Sequence, residues 1–152
     1  VHTLIPPTAD RLHETKSHLT EEIAAMLGGR AAEELIFNEM TTGAASDISQ
    51  ATDIARGMVI EYGMSALGPV NFDSEDKSFA GRFYREPVKV SEDMTGKIDI
   101  ETKKFIDEGL KVAKALLKKY KKLLDDVAAE LLVKETLEGE EFEKIVGAKN
   151  KN

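Results

Sequence analysis

Cysteine is absent from the 152 residues, which excludes disulfides and thiolate metal sites and leaves the redox compartment unmarked. No apolar run approaches the roughly 20 residues that cross a bilayer, and no signal-peptide pattern is present, so no membrane contact is expected from this chain. A basic excess is also missing: the net charge of −7 argues against a general nucleic-acid binder. There is no GxxxxGK(S/T) phosphate loop and no GxSxG elbow. The run His13-Glu14-Thr15-Lys16-Ser17-His18 imitates the zinc-protease motif HExxH, but its histidines stand at i and i+5. On a regular helix they would point about 140° apart and could not share one ion, whereas i and i+4 lie on one face. His13 and His18 read as exposed residues at a helix start, and His2 as a strand side chain.

What remains is a folded composition, 41% hydrophobic and 32% charged, of a length that suits one domain with a real core. The expected fold is mainly α, a helical bundle of about four to five helices with one short N-terminal edge strand. Val1-His2-Thr3-Leu4-Ile5 alternates apolar and polar and is halted by Pro6-Pro7, which gives that strand. With no second strong strand behind it, the chain reads as cut from something larger. Residues 1–16 are expected to be edge strand and linker, 17–69 helical, 70–90 an irregular loop, and 91–147 the C-terminal helices.

Within that frame the spacing predicts a first helix over 17–37, with Leu19, Ile23, Met26, Leu27, Ala31 and Leu35 on one stripe. Gly28-Gly29 in its middle costs about 1 kcal/mol per glycine relative to alanine, which points to a close approach there, a tight helix crossing ahead of direct contact with a ligand. Glu33 and Glu34 are adjacent, so they diverge by about 100° and form no acid/base dyad. A further helix follows the loop Thr41-Thr42-Gly43-Ala44-Ala45, with Ile48, Ala51, Ala55, Met58 and Tyr62 on its apolar face and Ser46 as its expected cap. Gly63 and Pro69 close it. Ser91-Glu92-Asp93 starts a long helix with Ile98, Thr102, Phe105, Gly109, Val112 and Leu116 on its stripe, expected to bend near Lys121-Lys122. Residues 103–122 carry eight Lys against two acids and 123–146 eight acids against two Lys, which suits two antiparallel helices side by side, or two separately solvated faces.

Asp47 falls in the first turn of the helix after the TTGAA loop. Two explanations fit a carboxylate there: the helix dipole, worth about 0.3–1 kcal/mol, and a role as a metal ligand. Spacing alone does not choose between them.

The runs Leu27-Gly28-Gly29-Arg30-Ala31-Ala32-Glu33-Glu34-Leu35-Ile36-Phe37, Thr42-Gly43-Ala44-Ala45-Ser46-Asp47-Ile48 and Ala51-Thr52-Asp53-Ile54-Ala55-Arg56-Gly57-Met58-Val59 together strongly resemble the peptidase domain of the FtsH family, the membrane-anchored AAA+ zinc metalloproteases. The likeness is specific from about Leu12 to Arg85 and mostly architectural after Ser91. Between Met64 and Leu67 the chain is one residue shorter than the common pattern.

The resemblance implies a zinc ion held by the two histidines of an HExxH and by a later aspartate, which maps onto Asp47. The HExxH glutamate then activates the zinc-bound water. It also implies an edge strand, here residues 1–5, on which an unfolded substrate adds as a further strand. Unfolded protein substrates, a homo-hexamer, and ATP/Mg used by an ATPase domain follow for the complete protein, with this domain in the cytoplasm or a matrix or stroma equivalent. HExxH and the ATPase module are expected upstream of Val1. No catalytic residue is therefore assigned to this chain, Asp47 is its one expected metal ligand, and alone it is expected to be inactive. The alternative is a non-catalytic helical scaffold or oligomerisation module of the same fold.

Overall fold

The computed structural model describes residues 13–72 and 90–147, and the described part is all-α. Six helices follow in order: α1 (Lys16–Met26), α2 (Gly28–Ala32), α3 (Ala45–Ile60), α4 (Glu92–Lys119), α5 (Lys121–Lys134) and α6 (Gly139–Gly147). A π-helical turn (Glu33–Phe37) and a 3-10 turn (Thr42–Ala44) join α2 to α3. The helical bundle expected from the periodicity is thus present. Its predicted first helix is divided at Leu27, which raises the helix count to six. The expected edge strand, with His2, and most of the expected loop 70–90 lie outside the described residues.

The core lies where α1, α3 and α4 meet. Leu19, Ile23 and Leu27 form the buried stripe of α1; Ala51, Ala55, Met58 and Val59 that of α3; Ile98 and Phe105 that of α4. Ile23, Met58 and Val59 are the largest fully buried side chains, each contributing about 1.5–3 kcal/mol by leaving water. Small residues set how near the helices approach. A Cβ on Gly109 would stand 2.6 Å from Ile23 Cγ2 and 3.3 Å from the backbone nitrogen of Ala24, so α4 touches α1 there almost backbone to backbone. The tight crossing expected at Gly28-Gly29 is therefore at Gly109. Nothing lies within 4 Å of a Cβ built on Gly28.

Caps fix the helix starts. Thr15 accepts from the His18 N–H at α1, and Ser91 accepts from the Met94 N–H at α4, with Glu92 and Asp93 in the first turn as the sequence predicts. At the start of α3 the expected cap is corrected. Thr41, not Ser46, accepts a loop N–H, from Gly43 at 3.1 Å, and the 3-10 turn lets α3 begin at Ala45. Ser46 already lies inside the helix and accepts from the Gln50 side chain.

The α3 stripe also ends sooner than expected, because the helix stops at Ile60 and leaves Tyr62 exposed. Gly63 takes a left-handed φ of +60°, and a Cβ there would sit 2.6 Å from Pro69 Cα. The chain turns on it and is tied back by Phe72 N–H to the Ile60 carbonyl and by Ala66 N–H to Glu101 on α4.

The long helix breaks at Tyr120, next to the expected position, but α5 does not fold back along α4. It has little contact with α4, and neither α5 nor α6 has a buried residue. Their charges satisfy one another locally: Lys121 pairs with Asp125, and Lys134 with Glu130 and Glu141. Val112 and Leu116, expected on the α4 stripe, are exposed.

Candidate metal centre

The segment from α2 to the first turn of α3 forms a hairpin whose two sides are held together by α2 and its π-helical extension. Glu33 accepts from the Thr41 backbone N–H at 3.2 Å through Oε2 and from the Thr41 hydroxyl through Oε1. These two bonds hold the Glu33 carboxyl below the usual carboxylate range, helped by Arg30, whose Nη1 lies 3.8 Å from Oε2. Arg30 also reaches the Met40 sulfur across the hairpin and donates to Glu34 at 3.2 Å. Glu34 points the other way, to Lys114 on α4, and that contact is the main cause of its lowered pKa. The divergence expected of neighbouring helical glutamates is observed: Glu33 reaches Thr41 and Glu34 reaches Lys114, while Arg30 lies beside both. Asn38, at φ +48°, reverses the chain between the two sides.

Asp47 lies in the first turn of α3, where the sequence predicts it, and its side chain is exposed. Its Oδ2 lies 4.0 Å from the position a Cβ would occupy on Gly29, so the carboxylate faces the start of α2 across a surface with no side chain. Among the described residues it forms no ion pair. An exposed, uncompensated carboxylate at a helix N-terminus suits one ligand position on a divalent cation.

The described residues contain no group of three or more His, Cys, Asp or Glu that could hold a metal. Among the described residues Asp47 has no companion ligand and makes no metal site by itself. His13 is exposed and precedes α1, while His18 lies within it between Glu14, at 3.2 Å, and Glu22, at 3.7 Å. Neither is brought to Asp47 by any described contact.

Over residues 2–145 the chain matches the profile of peptidase family M41. The chain belongs to that family. Among M41 relatives it is 47% identical over 147 residues to the ATP-dependent zinc metalloprotease FtsH of Pseudothermotoga lettingae, covering 95% of this chain and 24% of that protein. It is 43% identical over 149 residues to FtsH 4 of Synechocystis, also an ATP-dependent zinc metalloprotease, covering 96% and 24%. With FtsH of Mycobacterium bovis the identity is 44% over 146 residues, 95% of this chain and 19% of that one. The chain thus spans about a quarter of the length of the M41 relatives it matches. No helix among the described residues is long and apolar enough to cross a membrane.

The contact that sequence reasoning missed is the one from Glu33 to Thr41. Only the alternation of Glu33 and Glu34 around the helix hinted at separate partners, and nothing in the spacing named Thr41.

Proposed function

We propose that this chain is the C-terminal part of the peptidase domain of an ATP-dependent zinc endopeptidase, and that Asp47 supplies one zinc ligand. Membership of family M41 carries this reading, and the position of Asp47 supports it: first helical turn, exposed, facing a glycine. The other ligands, the HExxH glutamate and the ATPase module belong to polypeptide before Val1. In the complete protein the substrates are unfolded and membrane proteins, the assembly is a homo-hexamer, and the parent is membrane-anchored with this domain on the cytoplasmic or equivalent side.

When bound, zinc polarises a peptide carbonyl and lowers the pKa of a bound water. Asp47 would contribute a carboxylate oxygen from the first turn of α3, a position that the helix dipole favours for negative charge. The core of α1, α3 and α4 anchors α3 from Ala51 onward, with Ile48 of the first turn packed against it.

The isolated 152-residue chain is expected to cleave nothing when incubated with zinc and unfolded casein. Robust cleavage abolished by a chelator would refute the division of the site. The encoded sequence upstream of Val1 separates this reading from the non-catalytic scaffold. An HExxH within several tens of residues supports the protease, and its absence from the whole gene product supports the scaffold.

A further inference from the structure

Arg30 turns each of its three guanidinium nitrogens to a different partner, and one of the three partners is weak. Nε donates to Glu34 Oε1 at 3.2 Å, Nη1 lies 3.8 Å from Glu33 Oε2, and Nη2 donates to the sulfur of Met40. Both carboxylates belong to the next turn of the same helical run, whereas Met40 lies ten residues on, beyond the reversal at Asn38. The carboxylates fix a guanidinium whose side chain is only 20% exposed, while a thioether is a poor acceptor. The contact that crosses the reversal is thus the weakest of the three. Its sulfur is also the most accessible of its kind. All five methionines of the chain lie among the described residues. Met58 is fully buried, and Met26, Met64 and Met94 pack partly buried against the core. Met40 is 64% exposed.

A thioether is oxidised when a hydroperoxide can reach its sulfur. A sulfur lone pair takes the terminal peroxide oxygen, the O–O bond breaks, and water or an alcohol leaves; the sulfur loses two electrons and the peroxide gains them. The sulfoxide that results is polar and carries an oxygen acceptor where the thioether had only a weak one. We propose that Met40 is a peroxide-sensitive modification site, and that its sulfoxide oxygen, accepting from Arg30 Nη2, latches the reversal between the π-helical turn and α3. The guanidinium is already held in place by Glu33 and Glu34, so the new bond needs no rearrangement on the α2 side. Met40, being exposed, has room to withdraw by the length of the added oxygen. In a core the same oxidation disrupts packing; at Met40 it adds a bond. Neither Asp47 nor a metal enters, so the modification site stands or falls apart from the zinc reading.

The test treats the full-length protein carrying this chain with hydrogen peroxide. Peptide mass spectrometry follows each methionine, and hydrogen exchange follows the backbone amides of residues 38–41. Met40 is expected to convert to the sulfoxide before Met64 and Met94, with Met26 and Met58 still reduced over the same interval. Once Met40 has converted, exchange at 38–41 should slow by about ten-fold, the low end of what a hydrogen bond to a charged group contributes. Arg30→Ala should oxidise at Met40 without that slowing. Met40→Leu should show none under the same peroxide, which separates the latch from oxidation elsewhere. Met40→Gln, whose amide oxygen stands close to where the sulfoxide oxygen would, should slow exchange with no peroxide at all. Methionine sulfoxide reductases, one for each epimer, should return the oxidised protein to its starting exchange rate. Should Arg30→Ala fail to fold, Met40→Leu and Met40→Gln, at an exposed position, decide by the same criteria. If Met40 converts no sooner than Met64 and Met94, or if its conversion leaves exchange at 38–41 unchanged or faster, the proposal is overturned.

Discussion

Glu101 shows how one carboxylate ties a loop to a helix. It is nearly buried on α4 and accepts from the Ala66 N–H at 3.3 Å and from Lys104. The Lys104 contact, more than any other, lowers its pKa below the ordinary glutamate value of 4.5, opposed by burial and assisted by Ala66. A carboxyl whose folded pKa is depressed stabilises the fold fully above its unfolded value, and that stability is lost as pH falls through the folded one. Glu101→Gln should therefore flatten the loss of stability below about pH 4.5 and lower the melting temperature at pH 7. Glu101→Ala should cost about 1–2 kcal/mol at neutral pH, as the bonds from Ala66 and Lys104 are both removed. Thermal melts across pH 3–7 check both, and an acid limb identical to that of the unaltered chain would contradict the assignment. None of this was legible in the sequence. Glu101 is one acid among many on a charged helix, and only the turn at Gly63 brings Ala66 within its reach.

At the scale of elements, the helices were legible because their apolar spacing is regular, and the crossings were not. Periodicity marked Leu19, Ile23 and Leu27 as one face and Ala51, Ala55 and Met58 as another, and those faces are the core. It cannot say which glycine meets a neighbour. Two adjacent glycines in α2 looked like the close approach, while the lone Gly109, within a heptad-like stripe, is the one against Ile23 and Ala24. Gly109→Ala is accordingly expected to destabilise by about 1–3 kcal/mol despite its gain in helix propensity, because the added methyl overlaps a packed side chain. Leu132→Ser on α5, at a position 85% exposed, should change stability by less than about 0.5 kcal/mol. Urea denaturation of the two variants measures the contrast. A neutral Gly109→Ala would mean that α1 and α4 are not in contact at that point. The acid-rich and lysine-rich runs left antiparallel pairing and separately solvated faces both open, because charge complementarity is satisfied as well by neighbours one turn away, as Lys121–Asp125 and Lys134–Glu130 are.

For the molecule as a whole, a packed three-helix core carries the exposed Asp47 at the head of α3, and a C-terminal pair, α5 and α6, buries none of its residues. The chain belongs to family M41 and spans about a quarter of the length of the relatives it matches. Asp47 was legible as a candidate because its place after a glycine-containing loop fixed it in a first helical turn. Its facing residue, Gly29, was hidden because it depends on how α2 folds against the start of α3. The most direct measurement is a zinc-edge anomalous difference map from crystals of the full-length protein. The account predicts a peak about 2.0–2.2 Å from an Asp47 carboxylate oxygen, on the Gly29 side of α3. A zinc peak elsewhere, with Asp47 hydrogen-bonded only to water, would contradict it.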